Sequence, residues 1–147
     1  MSLGASDIAE GQLALFCKHY RDEFAKINPF VHDITRSPLP DSFRADLLFT
    51  ATVLMHIRRR DAYYSAIKNL LASARKYVVL LENWQHAHDY VRDIREVLTE
   101  NNSAETRRFF AYDSGAAMAM VIALKGQDLP EAYRPITNIV ALRKYTR

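Results

Sequence analysis

The residues with chemistry to offer fall at the ends of apolar runs. His56 lies near the end of the run Ala45-Asp46-Leu47-Leu48-Phe49-Thr50-Ala51-Thr52-Val53-Leu54-Met55-His56-Ile57. It could act as general base on a hydroxyl or amine, or simply hydrogen-bond a loop backbone. Thr50, Ala51 and Thr52 lie within the same run. Their small side chains could let a ligand approach the backbone, or could be ordinary β-branched strand packing. A second run, Tyr77-Val78-Val79-Leu80-Leu81, stops at Glu82-Asn83-Trp84, with His86 just beyond. Glu82, Asn83 and His86 could shape a pocket for a small acceptor molecule. His86 and His88 with Asp89 also invite a metal reading, but an i, i+2 pair does not share a helix face, so such a site would need loop geometry. Upstream, Asp7 is either an N-cap with Glu10 in a capping box or a carboxylate free to accept from hydroxyls. Asp33-Ile34 follows Phe30-Val31-His32, so Asp33 is either an Asx turn or a ligand acceptor at a strand end.

These groups need elements to position them. The two apolar runs flank an amphipathic segment, Arg58 to Lys76, which reads as strand, helix, strand: a βαβ unit. Asp61 is the expected N-cap of its helix, with Ala62, Ile67, Leu70, Leu71 and Ala74 as the buried stripe. Both runs read as buried strands. Ligands in such sheets sit outside the carboxyl ends of the strands, where Thr50, Thr52, His56, Glu82, Asn83 and His86 stand. Leu13, Phe16, Cys17, Tyr20, Phe24 and Ile27 recur at helical spacing, so a helix is expected over Ile8 to Lys26, ended by Asn28-Pro29. Pro38 and Pro40 place a loop before the βαβ unit. Tyr90, Val91, Ile94, Val97 and Leu98 mark a helix over Ala87 to Glu100. Arg107 to Tyr112 and Ala117 to Leu124, joined by Asp113-Ser114-Gly115, form an antiparallel hairpin. The order indicates an α/β layered sheet, mostly parallel, with an antiparallel C-terminal hairpin.

Bulk properties narrow the classes of function. A chain of 147 residues fits one domain. Hydrophobic residues make up 49% and charged residues 25%, an ordinary globular balance. No apolar run approaches the roughly 20 residues that span a bilayer. A net charge of +3 is too small to argue for nucleic-acid binding. The single cysteine, Cys17, cannot close an internal disulfide and lies on the apolar stripe of the first helix, so a reducing cytoplasm is expected.

In succession, these pieces resemble the later part of a class I S-adenosylmethionine-dependent methyltransferase. Gly4-Ala5-Ser6-Asp7-Ile8 resembles the segment after that family's second strand. Val31-His32-Asp33-Ile34 resembles its third strand, Asp46 to Ile57 its fourth, and Arg75 to Asn83 its fifth. The closing hairpin resembles the family's last antiparallel strand. The resemblance implies a Rossmann-like sheet with S-adenosyl-L-methionine as the cofactor. Asp7 and Ile8 would lie at the ribose, Asp33 and Ile34 at the adenine, Thr50, Ala51 and Thr52 at the methyl-donor site, and Glu82, Asn83 and His86 at a small-molecule or sugar-type acceptor. His56 is the catalytic candidate.

The family's first strand and Gly-rich turn have no counterpart in this sequence. Residues 1–126 are therefore expected to be a partial, N-terminally truncated methyltransferase domain, and 127–147 a tail. Activity is expected to be impaired and cofactor binding weak or nil. The alternative is a non-catalytic binding or assembly module derived from a methyltransferase, with exposed sheet edges favouring self-association. An RNA-directed enzyme is a lesser possibility. The missing strand leaves two readings of the sheet: an empty position between Phe30-Val31-His32 and the Leu47-to-Val53 strand, or direct pairing of the two.

Overall fold

The computed structural model describes residues 3–20, 26–83, 89–100, 108–113, 117–124 and 126–127. Strand β1 (Leu3–Asp7) leads into helix α1 (Glu10–His19) and then strand β2 (Ile27–Val31). Strand β3 (Ala45–Ala51), helix α2 (Arg60–Ser73) and strand β4 (Ala74–Asn83) form the βαβ unit. Helix α3 (Tyr90–Glu100) precedes the hairpin of β5 (Arg108–Asp113) and β6 (Ala117–Ala123).

The strands form two sheets. β1 and β2 pair in parallel, from Leu3 opposite Ile27 to Asp7 opposite Val31. The second sheet has the order β3-β4-β6-β5, with β3 and β4 parallel and β6 inserted antiparallel between β4 and β5. The mixed α/β architecture and the antiparallel closing strand beside β4 agree with the sequence reading. Direct pairing of the Phe30 strand with the Leu47 strand does not occur: β2 pairs with β1, and β3 with β4.

α2 forms because its apolar positions keep helical spacing. Tyr63, Ala66, Ile67, Leu70 and Ser73 are buried on one face. Arg59, not Asp61, occupies the N-cap; Asp61 sits in the first turn, paired with Arg59. At its other end Ala74 turns extended (ψ 151°), and the chain enters β4 with no loop. α3 presents Tyr90, Ile94 and Val97, each fully buried. These side chains meet Leu54, Val78, Leu80, Met120 and Ile122 in a single core.

That core lies on one face of the β3-β4 sheet. Thr50, Val78 and Leu80 point into it. The alternate positions Leu47 (54% exposed), Phe49 (59%) and Leu81 (43%) point away. The expectation of strands buried on both faces therefore fails among the described residues: α2 and α3 cover only one side. α1 differs as well. Its expected core stripe is at most half-buried at Leu13 and Cys17, and no α1 residue is buried.

β1 was not expected as a strand, since Leu-Gly-Ala-Ser-Asp has no apolar alternation. Its backbone is held by pairing with β2 residue by residue. β2 tolerates Pro29 because it lies at a sheet edge, where a missing N–H costs little. The segment 33–44 ties the β1-β2 pair to the main body. Asn69 Nδ2 donates to the Ile34 carbonyl at 2.7 Å, and the Leu39 N–H donates to Ser73 Oγ at 2.8 Å. Phe30 of β2 stacks on Phe43, just before β3, at 3.9 Å between centroids. Beyond Gln127 the expected tail lies outside the described residues.

Candidate functional site

The candidate residues gather into two groups, each at the carboxyl end of a parallel strand pair. The first group is Asp7 and Asp33. The His32 N–H donates to the Asp7 carbonyl at 3.0 Å, which carries the parallel pairing to the strand ends and sets Asp33 beside the exit of β1. Asp7 is exposed, and its Oδ1 accepts the Ala9 N–H at 2.8 Å. This is an Asx turn between β1 and α1. The N-cap of α1 is Ala9, without a side-chain cap, so the capping-box expectation for Asp7 and Glu10 does not hold. Ile8 is 65% exposed beside it.

Asp33 forms a second Asx turn. Its Oδ1 accepts the Thr35 N–H at 3.0 Å and the Thr35 hydroxyl at 2.7 Å, while Oδ2 takes Arg36 Nε at 3.1 Å. The Thr35 hydroxyl holds its carboxyl below the usual value against the opposing effect of burial, with help from the Thr35 N–H and Arg36. Ile34, expected against an adenine ring, packs against the main core, and its carbonyl is held by Asn69.

The second group lies where β3 and β4 end. Thr50 is buried and its hydroxyl donates to Glu82 Oε1 at 2.9 Å, so it is turned inward rather than toward a ligand. Ala51 and Thr52 are exposed. The Thr52 N–H donates to the Leu81 carbonyl at 2.7 Å, and its hydroxyl to the Ala51 carbonyl at 2.7 Å. Thr52 has φ of 55°, the left-handed region that a β-branched residue rarely occupies. Such backbone stores strain of about 1–3 kcal/mol and persists where its surroundings over-determine it. One turn of 3₁₀ helix, Leu54–His56, follows. Leu54 is buried in the core, and His56 is exposed.

Glu82, expected on an open acceptor wall, is 1% exposed. Besides Thr50, its carboxylate accepts the Val53 N–H through Oε1 and the Met55 N–H through Oε2, each at 3.3 Å. Tyr90, fully buried, is pushed up to about 12, first by burial and then by the Glu82 carboxylate. Asn83 is half-buried at the end of β4. His86 and His88 lie outside the described residues. The inward turn of Glu82 is the feature that sequence reasoning missed. A carboxylate two positions after Leu80, on the buried parity of β4, was the available signal.

No protein-family model and no curated protein matches the sequence. Solved structures do match. A TehB-like S-adenosylmethionine-dependent methyltransferase from Corynebacterium glutamicum superposes with a TM-score of 0.62 at 13% identity, over 84% of this chain and 68% of that one. The N-methyltransferase NodS from Bradyrhizobium japonicum, in complex with S-adenosylhomocysteine, gives 0.61 at 15% identity, over 86% and 67%. Magnesium protoporphyrin IX methyltransferase from Synechocystis, with bound S-adenosylmethionine, gives 0.58 at 16% identity, over 85% and 60%. The fold is thus that of the class I S-adenosylmethionine-dependent methyltransferases. The chain spans roughly two-thirds of the length of these proteins.

Proposed function

We propose that this chain carries part of the machinery for methyl transfer from S-adenosyl-L-methionine to a small-molecule or sugar-type acceptor. The observation that carries the reading is the β1-β2 pair, whose neighbouring ends bear the carboxylates Asp7 and Asp33 within a methyltransferase fold. Exposed Asp7 would accept from vicinal ribose hydroxyls. Asp33 would accept from the adenine amine through Oδ2, once the 85%-exposed Arg36 swings aside. Ala51 and Thr52, small and exposed at the end of β3, suit the methyl-donor end. The cosubstrate supplies an electrophilic methyl group. The protein's share is chiefly to line up the acceptor lone pair with it, and positioning carries much of such a rate. His56, exposed past β3, would take the proton the acceptor loses.

Binding by the 147-residue chain is weak on this reading. The Asp7–Asp33 group and the Thr52 group stand on separate sheets tied through the 33–44 segment, with no described strand between them to support a ligand that spans both. Calorimetric titration with S-adenosylmethionine tests this: saturable binding weaker than micromolar, abolished by Asp7→Ala, is expected. Absence of saturable binding overturns the function, and a micromolar constant overturns the impairment.

The second reading, an assembly module built on the same fold, is favoured by the exposed apolar face at Leu47, Phe49 and Leu81.

A further inference from the structure

Glu82 belongs to β4, yet its carboxylate accepts three hydrogen bonds from β3 and the turn after it. The Thr50 hydroxyl closes on Oε1 at 2.9 Å, the Val53 N–H on the same oxygen at 3.3 Å, and the Met55 N–H on Oε2 at 3.3 Å. The carboxylate is 1% exposed, so water does not compete for these bonds. Between the donors sits Thr52, held at φ 55°. A β-branched residue left to itself would relax toward extended backbone. Three restraints oppose that relaxation: the Thr52 N–H bonded to the Leu81 carbonyl, the Leu54 side chain sunk in the core, and the Glu82 carboxylate gripping the turn on either side of Thr52.

We propose that Glu82 is a positioning residue, its buried carboxylate clamping the 51–56 turn and so deciding where the Ala51-Thr52 backbone and His56 stand. The clamp rests on the geometry alone. Its relevance to a bound adenosyl ligand rests on the function proposed above.

The substitution Glu82→Gln keeps the shape of the side chain but replaces one acceptor oxygen with a donor group, leaving one set of turn donors facing a donor. Thr50→Val removes only the hydroxyl that steers Oε1. Ile67→Val, on the buried face of α2, serves as a control that lowers stability without touching the turn. Residue-resolved amide hydrogen exchange by NMR reads the outcome. In Glu82→Gln, exchange at whichever of Val53 and Met55 faces the amide NH2 should rise about tenfold relative to Val78 and Leu80. Thr50→Val should give a smaller rise at the same two amides, while Ile67→Val should single out neither. Unchanged relative protection of Val53 and Met55 in Glu82→Gln overturns the clamp. If that variant does not fold, unchanged protection in Thr50→Val overturns it instead. Titration of the same samples with S-adenosylhomocysteine separates the two ideas. A wild-type chain that does not bind counts against the proposed function and leaves the exchange result standing. A wild-type chain that binds, with Glu82→Gln binding equally well, overturns the claim that the clamp positions the site.

Discussion

Asp33 accepts from Thr35 through both a hydroxyl and a backbone N–H, and these bonds favour its ionised form. Its carboxyl is therefore held below the usual 3.8, so the unfolded chain binds a proton here more readily than the folded one does. The stability this contributes is present above 3.8 and is lost as pH falls through the lower folded value. Asp33→Asn retains an acceptor for Thr35 but does not titrate there. Its urea midpoint should fall less steeply than wild type below about pH 4, and slopes equal to wild type would refute the assignment. Glu82 and Thr52 act at the same scale, through the fixed shape of one turn.

Helices α1 and α3 have similar lengths but contribute very differently. Ile94 of α3 is fully buried in the core that α2 and β4 share, and truncating it leaves a cavity. Ile94→Ala should cost about 2–5 kcal/mol by chemical denaturation. Leu15 of α1 is 50% exposed on a helix with no buried residue. Leu15→Ala should change stability by no more than about 0.5 kcal/mol. A loss of several kcal/mol there would mean that α1 packs against something in solution. The contrast has a sequence basis. α3 concentrates its apolar residues on one stripe, whereas in α1 Ala14 and Leu15 fall outside the Leu13-Phe16-Cys17 stripe.

At the scale of the molecule, α2 and α3 cover one face of the main sheet, and among the described residues Leu47, Phe49 and Leu81 are exposed on the other. Sheets with parallel strands are ordinarily covered on both faces, so this face invites a partner. Concentration-dependent self-association is the expected behaviour, and Phe49→Lys should shift sedimentation velocity toward the monomer without changing the circular dichroism. A wild-type chain that sediments as a clean monomer throughout would remove the case for an assembly module.

The order of the elements was legible in the sequence because it rests on local periodicity. The spacing of Ile67 and Leu70, or of Tyr90, Ile94 and Val97, reports a helix face without knowledge of its partner. Strand geometry turns Glu82 the same way as Leu80, but the unbroken apolar runs of β3 and β4 read as buried on both faces. Only the tertiary structure decided which parity would be covered, because that depends on where α2 and α3 come to rest. It also decided that Leu3–Asp7 is a strand, since the backbone pairing with β2 comes from across α1. The partners of Glu82 lie 27 to 32 residues away in sequence. No local pattern encodes a contact at that range; folding brings β3 beside β4, and the carboxylate then closes on whichever donors the turn presents.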